Sequence, residues 1–194
     1  MRRGGSQGAA VNGWTLPTSV RLGSRRYGHQ SDFRRILTVL QVLGDAGRPE
    51  FLRWHMALHL FYEAPIPREL EPQAMEYLAS FLTCGARDAP GPKLFDWERD
   101  AHLIVADVNA VAGRELRAEP YVHWWTFLGW FRAVGQGQFS LVVSLRDKLR
   151  RGEKLESWER EYCRRNPGLI RQAAPDTPEQ AAEKQRLMAL LDGR

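Results

Sequence analysis

Cysteine and long apolar runs are the scarcest features of this 194-residue chain. Its two cysteines, Cys84 and Cys163, are too few and too far apart to form a disulfide framework or a metal cluster. The longest uncharged apolar runs reach about ten residues, whereas a membrane-spanning helix needs roughly 20, so we expect no membrane segment. Residues 1–12 contain no apolar stretch of the signal-peptide kind, so the expected compartment is the cytoplasm, where thiols stay reduced.

Catalytic sequence motifs are also missing. The chain lacks GxxxxGKS/T, GxGxxG, GxSxG and CxxC, so we expect no enzyme and no cofactor. His55 and His59 lie one helical turn apart, but Met56 stands where a metalloprotease needs its glutamate base. The apolar neighbours of His55 favour a core histidine over a metal ligand. For His123, beside two tryptophans, a polar anchor that bonds a backbone or acidic group is favoured over a catalytic base.

Three of the four acidic residues between positions 96 and 107 favour structural roles. Asp96 suits a helix N-cap, and Glu98 suits a first helical turn because the helix dipole favours acidic groups there. Asp100 lies one residue off the apolar stripe and is expected to pair with an arginine. Catalysis by paired carboxylates, with Asp107 as a further member, is the disfavoured alternative.

Hydrophobic periodicity predicts a mainly α fold: a single helical domain of six to seven helices with a small N-terminal β-hairpin. Residues 1–13 have no periodicity and are predicted to be a disordered arm. Residues 14–172 are predicted to form the helical domain, and residues 173–194 a linker followed by a short amphipathic tail helix. The hairpin is predicted at 20–27, around Gly23-Ser24, and the helices at 33–43, 49–62, 71–83, 97–111, 121–131, 139–149 and about 155–165.

The most unusual segment follows Pro120 and has the sequence YVHWWTFLGWF. Its aromatic residues cover nearly the whole circumference of a helix, which predicts that most of residues 121–131 are buried at the centre of the domain. This supply of large apolar groups exceeds what one helix usually buries, so one or two tryptophans are candidates for a partner groove. The candidate partner-binding residues are Trp125, Trp130 and Phe131 in this segment and Leu187, Leu190 and Leu191 in the tail.

Basic residues are almost all arginine, and they are dense near the C-terminus. Residues 146–172 hold nine basic residues against five acidic ones, an excess that a nucleic-acid-binding face would show. The acids are interleaved with the bases, several at a spacing of three to four residues, which is typical of a solvated, ion-paired helix surface. We therefore do not expect a nucleic acid as the main partner.

A set of short motifs in a defined order resembles a known family. The motifs are the hairpin, Asp32-Phe33-Arg34, Phe61-Tyr62, Phe95-Asp96, Asp100-Ala101, Ile104, His123-Trp124-Trp125-Thr126-Phe127 and Arg146. In this order, over about residues 14–170, the chain resembles the bacteriophage family named after gene product fifteen. Those are small helical proteins encoded in the tail module of long-tailed phages, before the tape-measure gene. The segments 95–104 and 123–127 carry the sharpest part of the resemblance, and the flanks 1–13 and 173–194 lie outside it.

The resemblance implies a phage tail assembly chaperone that acts in the host cytoplasm. Such a protein holds the tape-measure protein in solution, brings tail-tube subunits to it and leaves as the tube polymerises. The tail segment 177–192 is expected to dock onto the client or onto a second copy of the chain. Two alternatives remain open: a structural tail component retained in the virion, and a nucleic-acid-binding regulator that uses the 146–172 face.

Overall fold

The computed structural model describes residues 14–86 and 91–171. Over these residues the chain is mainly helical, with a two-stranded antiparallel hairpin near the N-terminus, which confirms the predicted fold class. The predicted arm 1–13 and the tail 173–194 lie outside the described residues. In chain order the described elements are β1 (Ser19–Leu22), β2 (Arg25–Gly28), α1 (Phe33–Gly44), α2 (Glu50–Phe61), α3 (Glu71–Leu82), α4 (Ala101–Ala112), α5 (Trp124–Arg132), α6 (Gln138–Arg150), α7 (Ser157–Arg165) and α8 (Pro167–Ile170), with 3-10 turns at Arg68–Leu70 and Leu116–Ala118.

The internal contacts of the chain define two compact units. One comprises the described parts of residues 1–91 and 108–134, and the other those of residues 92–107 and 135–194. The first unit contains the hairpin, α1, α2, α3 and α5, and the second contains α6, α7 and α8. The assignment of residues 14–172 to one domain stays a prediction.

The hairpin is too short to be stable alone, and it packs on a helix. Val20 pairs with Tyr27 across the two strands, and both side chains are buried. Gly23 at the turn has φ +57°, a left-handed conformation that glycine adopts without steric cost. Residues of β1 contact α3, so the hairpin covers one side of that helix.

Two predicted helix starts differ from the observed ones by more than two residues. Asp96 accepts hydrogen bonds from the backbone N–H groups of Glu98 and Arg99, as predicted for a cap, but residues 97–100 form turns and α4 begins at Ala101. The aromatic helix, predicted from residue 121, begins at Trp124. In the second case the cap is a histidine, a residue type that propensity rules do not list among the preferred N-caps.

In the second unit a buried ion pair joins the segment before α4 to α6. Asp100 and Arg146 form a bidentate pair, with Oδ2–Nη1 and Oδ1–Nη2 distances of 2.7 and 2.9 Å, and both side chains are almost fully buried. Burial raises the pKa of Asp100, but hydrogen bonds from Arg146 and from the Asp96 N–H outweigh it and hold the pKa below its ordinary value. Arg146 also donates to the carbonyls of Leu94 and Leu169, so one guanidinium joins three segments of this unit.

We expect Asp100→Ala to destabilise the protein by about 3–5 kcal/mol, because it leaves the Arg146 charge buried without its carboxylate. The matched control is Asp147→Ala, which removes a carboxylate that pairs with Arg150 and Arg151 at the surface of α6. That change should cost about 0–1 kcal/mol. Urea unfolding of both variants measures the difference, and equal losses would contradict a special role for the buried pair.

Candidate partner-binding surface

The His123-Trp124-Trp125 segment begins α5, and the histidine caps its own helix. The backbone N–H of Trp125 donates to Nδ1 of His123 at 3.0 Å, and Nε2 of the same ring donates to the Pro17 carbonyl at 3.0 Å. Burial lowers the pKa of His123, and the hydrogen bond to Pro17 offsets part of that shift. The interpretation of His123 as a polar anchor is confirmed, because both ring nitrogens bond the backbone.

The two tryptophans that follow cap a different helix. The indole N–H of Trp124 donates to the carbonyl of Leu82 at 3.0 Å, and that of Trp125 donates to the carbonyl of Phe81 at 2.9 Å. These carbonyls belong to the last turn of α3, where acceptors lack the backbone donor four residues further on. That of Phe81 also accepts from the Cys84 N–H at 3.2 Å. Arg132, at the end of α5, donates to the next carbonyl, that of Thr83, at 3.4 Å. One short helix therefore supplies donors to three successive carbonyls at the end of another.

Asp32 ties the start of α1 to the strand-like residues before α5. Its Oδ1 accepts from the Arg34 N–H at 3.0 Å as a helix cap, and its Oδ2 accepts from the Val122 N–H at 3.1 Å. The Phe33 N–H donates back to the Val122 carbonyl at 2.9 Å. Arg34 pairs with Asp32 and also donates to the carbonyl of Leu116. The polar groups of the Asp-Phe-Arg motif thus hold the start of α1 against the residues before α5.

A second buried histidine lies among aromatic rings of α2 and α3. The ring of His29 stacks on Phe61, with 4.5 Å between centroids, and meets the edge of Phe81. Its Nδ1–H donates to the Gln30 carbonyl at 3.0 Å, so Nε2 accepts from the Tyr77 hydroxyl at 3.0 Å. Burial lowers the pKa of His29 from its ordinary 6.5 to about 4, the hydrogen bond to Gln30 opposes this, and nearby His123 adds to it. Both histidines are therefore neutral at physiological pH.

The candidate partner-binding residues differ in how much surface they offer. Trp125 is 8% exposed and uses its indole N–H inside the protein, so the geometry does not favour it as a contact for a partner. Trp130 and Phe131, at the end of α5, are half-buried. The guanidinium of Arg114 lies over the Trp130 ring, 5.6 Å from its centroid. Leu187, Leu190 and Leu191 lie outside the described residues. We define Arg114, Trp130 and Phe131 as the α5-end surface.

The basic C-terminal segment is largely ion-paired within itself. Asp147 of α6 pairs with Arg150 and with Arg151, the residue after the helix, and Glu161 pairs with Arg164 and Arg165 on α7. Lys148 of α6 bonds Glu159 of α7 at 2.6 Å and lowers the pKa of that carboxyl. These pairs reduce the positive charge that a phosphate backbone would meet.

The structure changes the interpretation of two titratable residues, His55 and Asp107. The prediction that His55 is a core histidine is wrong. Ala57, Leu58 and Phe61 form the buried side of α2, whereas His55 and His59 are both exposed. Phe51, one turn before His55 on the same helix, is 75% exposed. Helical spacing does not show where burial ends on α2, since the exposed His55 lies only three positions before the buried Leu58.

Asp107 has a structural role that its sequence position did not indicate. Its Oδ2 accepts from the Phe139 N–H at 3.0 Å and so caps the first turn of α6. A Cβ on Gly137 would lie 2.1 Å from that oxygen, which explains the glycine just before the helix. Asp100 meets its arginine as predicted. Within residues 14–86 and 91–171, no three or more His, Cys, Asp and Glu side chains are grouped to hold a metal ion.

Comparison of the chain with known protein families, curated proteins and solved structures finds no match. None of the described helices combines the length and the apolar character that crossing a bilayer requires. The resemblance to the gene-product-fifteen family therefore stands on the quoted motifs alone.

We expect Trp124→Phe to destabilise the protein by about 1–3 kcal/mol, because the Leu82 carbonyl loses its indole donor in a largely buried site. Trp158→Phe is the matched control, since Trp158 is 57% exposed on α7, and it should stay within about 0.5 kcal/mol of the wild type. Denaturant unfolding measures both. A Trp124→Phe variant as stable as the control would show that the indole cap contributes little.

We expect the free energy of unfolding to fall as the pH is lowered from about 7 to about 5, before the carboxylates of the protein titrate. Because the pKa of His29 is about 4 in the folded chain and ordinarily 6.5, the unfolded chain binds the extra proton in this window and stability falls as pH falls. From about pH 7 to about pH 5, His29 should account for a loss of about 2 kcal/mol, and His123 adds to it. His29→Gln should make the free energy of unfolding depend less on pH in this range. His102→Gln, at an exposed site, should not change that dependence.

Proposed function

We propose that this chain is a phage tail assembly chaperone: a binding protein without catalysis that shields the tape-measure protein and helps to recruit tail-tube subunits. The observation that carries the proposal is the α5-end surface, where a half-buried tryptophan under an arginine lies beside a half-buried phenylalanine. The resemblance suggests the tape-measure protein as the client, and the α5-end surface is where we propose that it binds.

The chemistry of the α5-end surface suits recognition of another polypeptide. Tryptophan and arginine are the residue types most enriched among side chains that dominate binding energy at protein interfaces. The cation over the Trp130 ring keeps a large apolar group in an ordered orientation at the surface. A long, apolar client helix needs such a partner, since it docks by inserting side chains against an aromatic-rich face.

The histidines and acids that could have suggested catalysis support a binding role instead. His29 and His123 bond the backbone or a tyrosine, Asp100 is saturated by Arg146, and Asp107 caps a helix. Each of these polar groups is occupied by a structural partner. The alternative of a nucleic-acid-binding regulator has weaker support, because much of the 146–171 charge is paired within the segment.

Co-expression with the tape-measure protein of the same genome tests the proposal. We expect the wild-type chain to keep the client soluble, and Trp130→Ala to weaken the complex by about 2 kcal/mol or more, roughly 30-fold in affinity. Arg114→Gln should weaken it less, because it removes only the cation above the ring. Trp158→Ala, at an exposed tryptophan of the other unit, is the control and should bind as the wild type does.

The proposal fails if the client is equally insoluble with and without this chain. Unfolding curves of the variants, measured alongside, separate loss of binding from loss of fold. Mass spectrometry of purified virions distinguishes the structural alternative: a chaperone is absent from the particle, whereas a tail component is present in stoichiometric amount.

A further inference from the structure

The outward face of α2 carries three side chains at one-turn spacing: Phe51, His55 and His59. All three are exposed, and Phe51 retains 75% of its surface. The helix is regular beyond the last of them, since the Tyr62 N–H donates to the Leu58 carbonyl at 2.9 Å. The spacing of the two histidines is therefore that of successive turns of an intact α-helix.

Neither exposed imidazole is used by the fold. His29 and His123 are buried and bond backbone groups, whereas the described residues give His55 and His59 no hydrogen-bond or ion-pair partner. Four ring nitrogens are thus available on one helical face. The apolar stripe of α2 predicted that His55 is buried in the core, whereas its side chain is exposed.

We propose that His55 and His59 form a two-imidazole chelate for a divalent transition-metal ion of the zinc class. Side chains at positions i and i+4 of a helix are neighbours, with about 5–6 Å between their Cβ atoms. Imidazole nitrogens bind Zn²⁺ at about 2.0–2.1 Å and also suit Cu²⁺ and Ni²⁺. A regular helix holds both rings on one side, so little ordering is needed for both to reach the same ion.

One chain supplies only these two ligands. Glu63 follows His59 by four positions, but α2 ends at Phe61 and Tyr62 is extended, so Glu63 does not continue the row. No described cluster of three or more ligating side chains includes the pair. The remaining coordination positions therefore open outward, to solvent or to the same pair of a second copy, which would also cover Phe51.

Isothermal titration of the full, untagged chain with ZnCl₂ tests the chelate. Since the loss of an outer-shell contact alone costs about 10- to 100-fold in metal affinity, His55→Ala and His59→Ala should each weaken Zn²⁺ binding at least about tenfold. His102→Ala is the matched control, because His102 is a lone exposed histidine on α4, and it should bind as the wild type does. Zn²⁺ should also raise the melting temperature of the wild type and of the control only.

A spacing rescue separates chelation from a general loss of histidine. Phe51→His combined with His59→Ala rebuilds a pair one turn earlier on the same face, with His55 as its second member, and should restore Zn²⁺ binding. Adding Phe51→His to His55→Ala leaves the two histidines two turns apart, and should not. All substituted positions are exposed, and circular dichroism checks that the helix content is unchanged.

The stoichiometry identifies what fills the open positions. One Zn²⁺ per chain places solvent there, and one per two chains, with a dimer in sedimentation analysis, places a second copy there; either result supports the chelate. Unaltered binding in His55→Ala, or an equal loss in His102→Ala, would overturn it. The inference does not depend on the proposed chaperone function, since these variants leave the α5-end surface intact.

Discussion

The hydrogen bonds from two adjacent indole groups to the end of α3 are the contacts on which the first compact unit depends. The last carbonyls of a helix lack the backbone donor four residues further on, and a buried end finds donors in the following turn or in other elements. Trp124 and Trp125 supply a donor together with a large apolar surface, and both are buried. His123 makes this possible, because it starts α5 where both indoles can reach successive carbonyls.

The motifs that carry the family resemblance are largely structural. Asp32 and Arg34 join α1 to the residues before α5, and His123 with its tryptophans joins α5 to α3. Asp100 and Arg146 form the buried ion pair of the second unit. Most of the quoted residues are therefore occupied by partners inside the fold. The surfaces proposed to bind a client or a metal ion use other residues: the α5-end surface and the outward face of α2.

Sequence patterns predicted the spans of most helices, but they predicted less well which side chains of those helices are buried. The predicted spans of α1 and α3 each match the observed helix to within one residue, because caps and prolines act locally. The predicted burial of His55 on α2 is wrong, since only the packing of this helix against α1 and α3 selects Ala57, Leu58 and Phe61 as its buried residues. Exposed-face spacing makes Trp125 a candidate contact for a partner, yet its indole N–H donates to the carbonyl of Phe81, 44 positions away in the chain.

Local chemistry thus determined the fold class: helical periodicity, N-caps, a Gly-Ser hairpin turn and the concentration of aromatic residues in 121–131 are all visible in the sequence. Tertiary structure alone decided which carbonyls the indoles meet, which aspartates are buried, and which histidines are left in solvent. The reason is physical. Periodicity depends on neighbours three or four residues apart, whereas burial and hydrogen-bond satisfaction depend on groups that the chain brings together from distant positions.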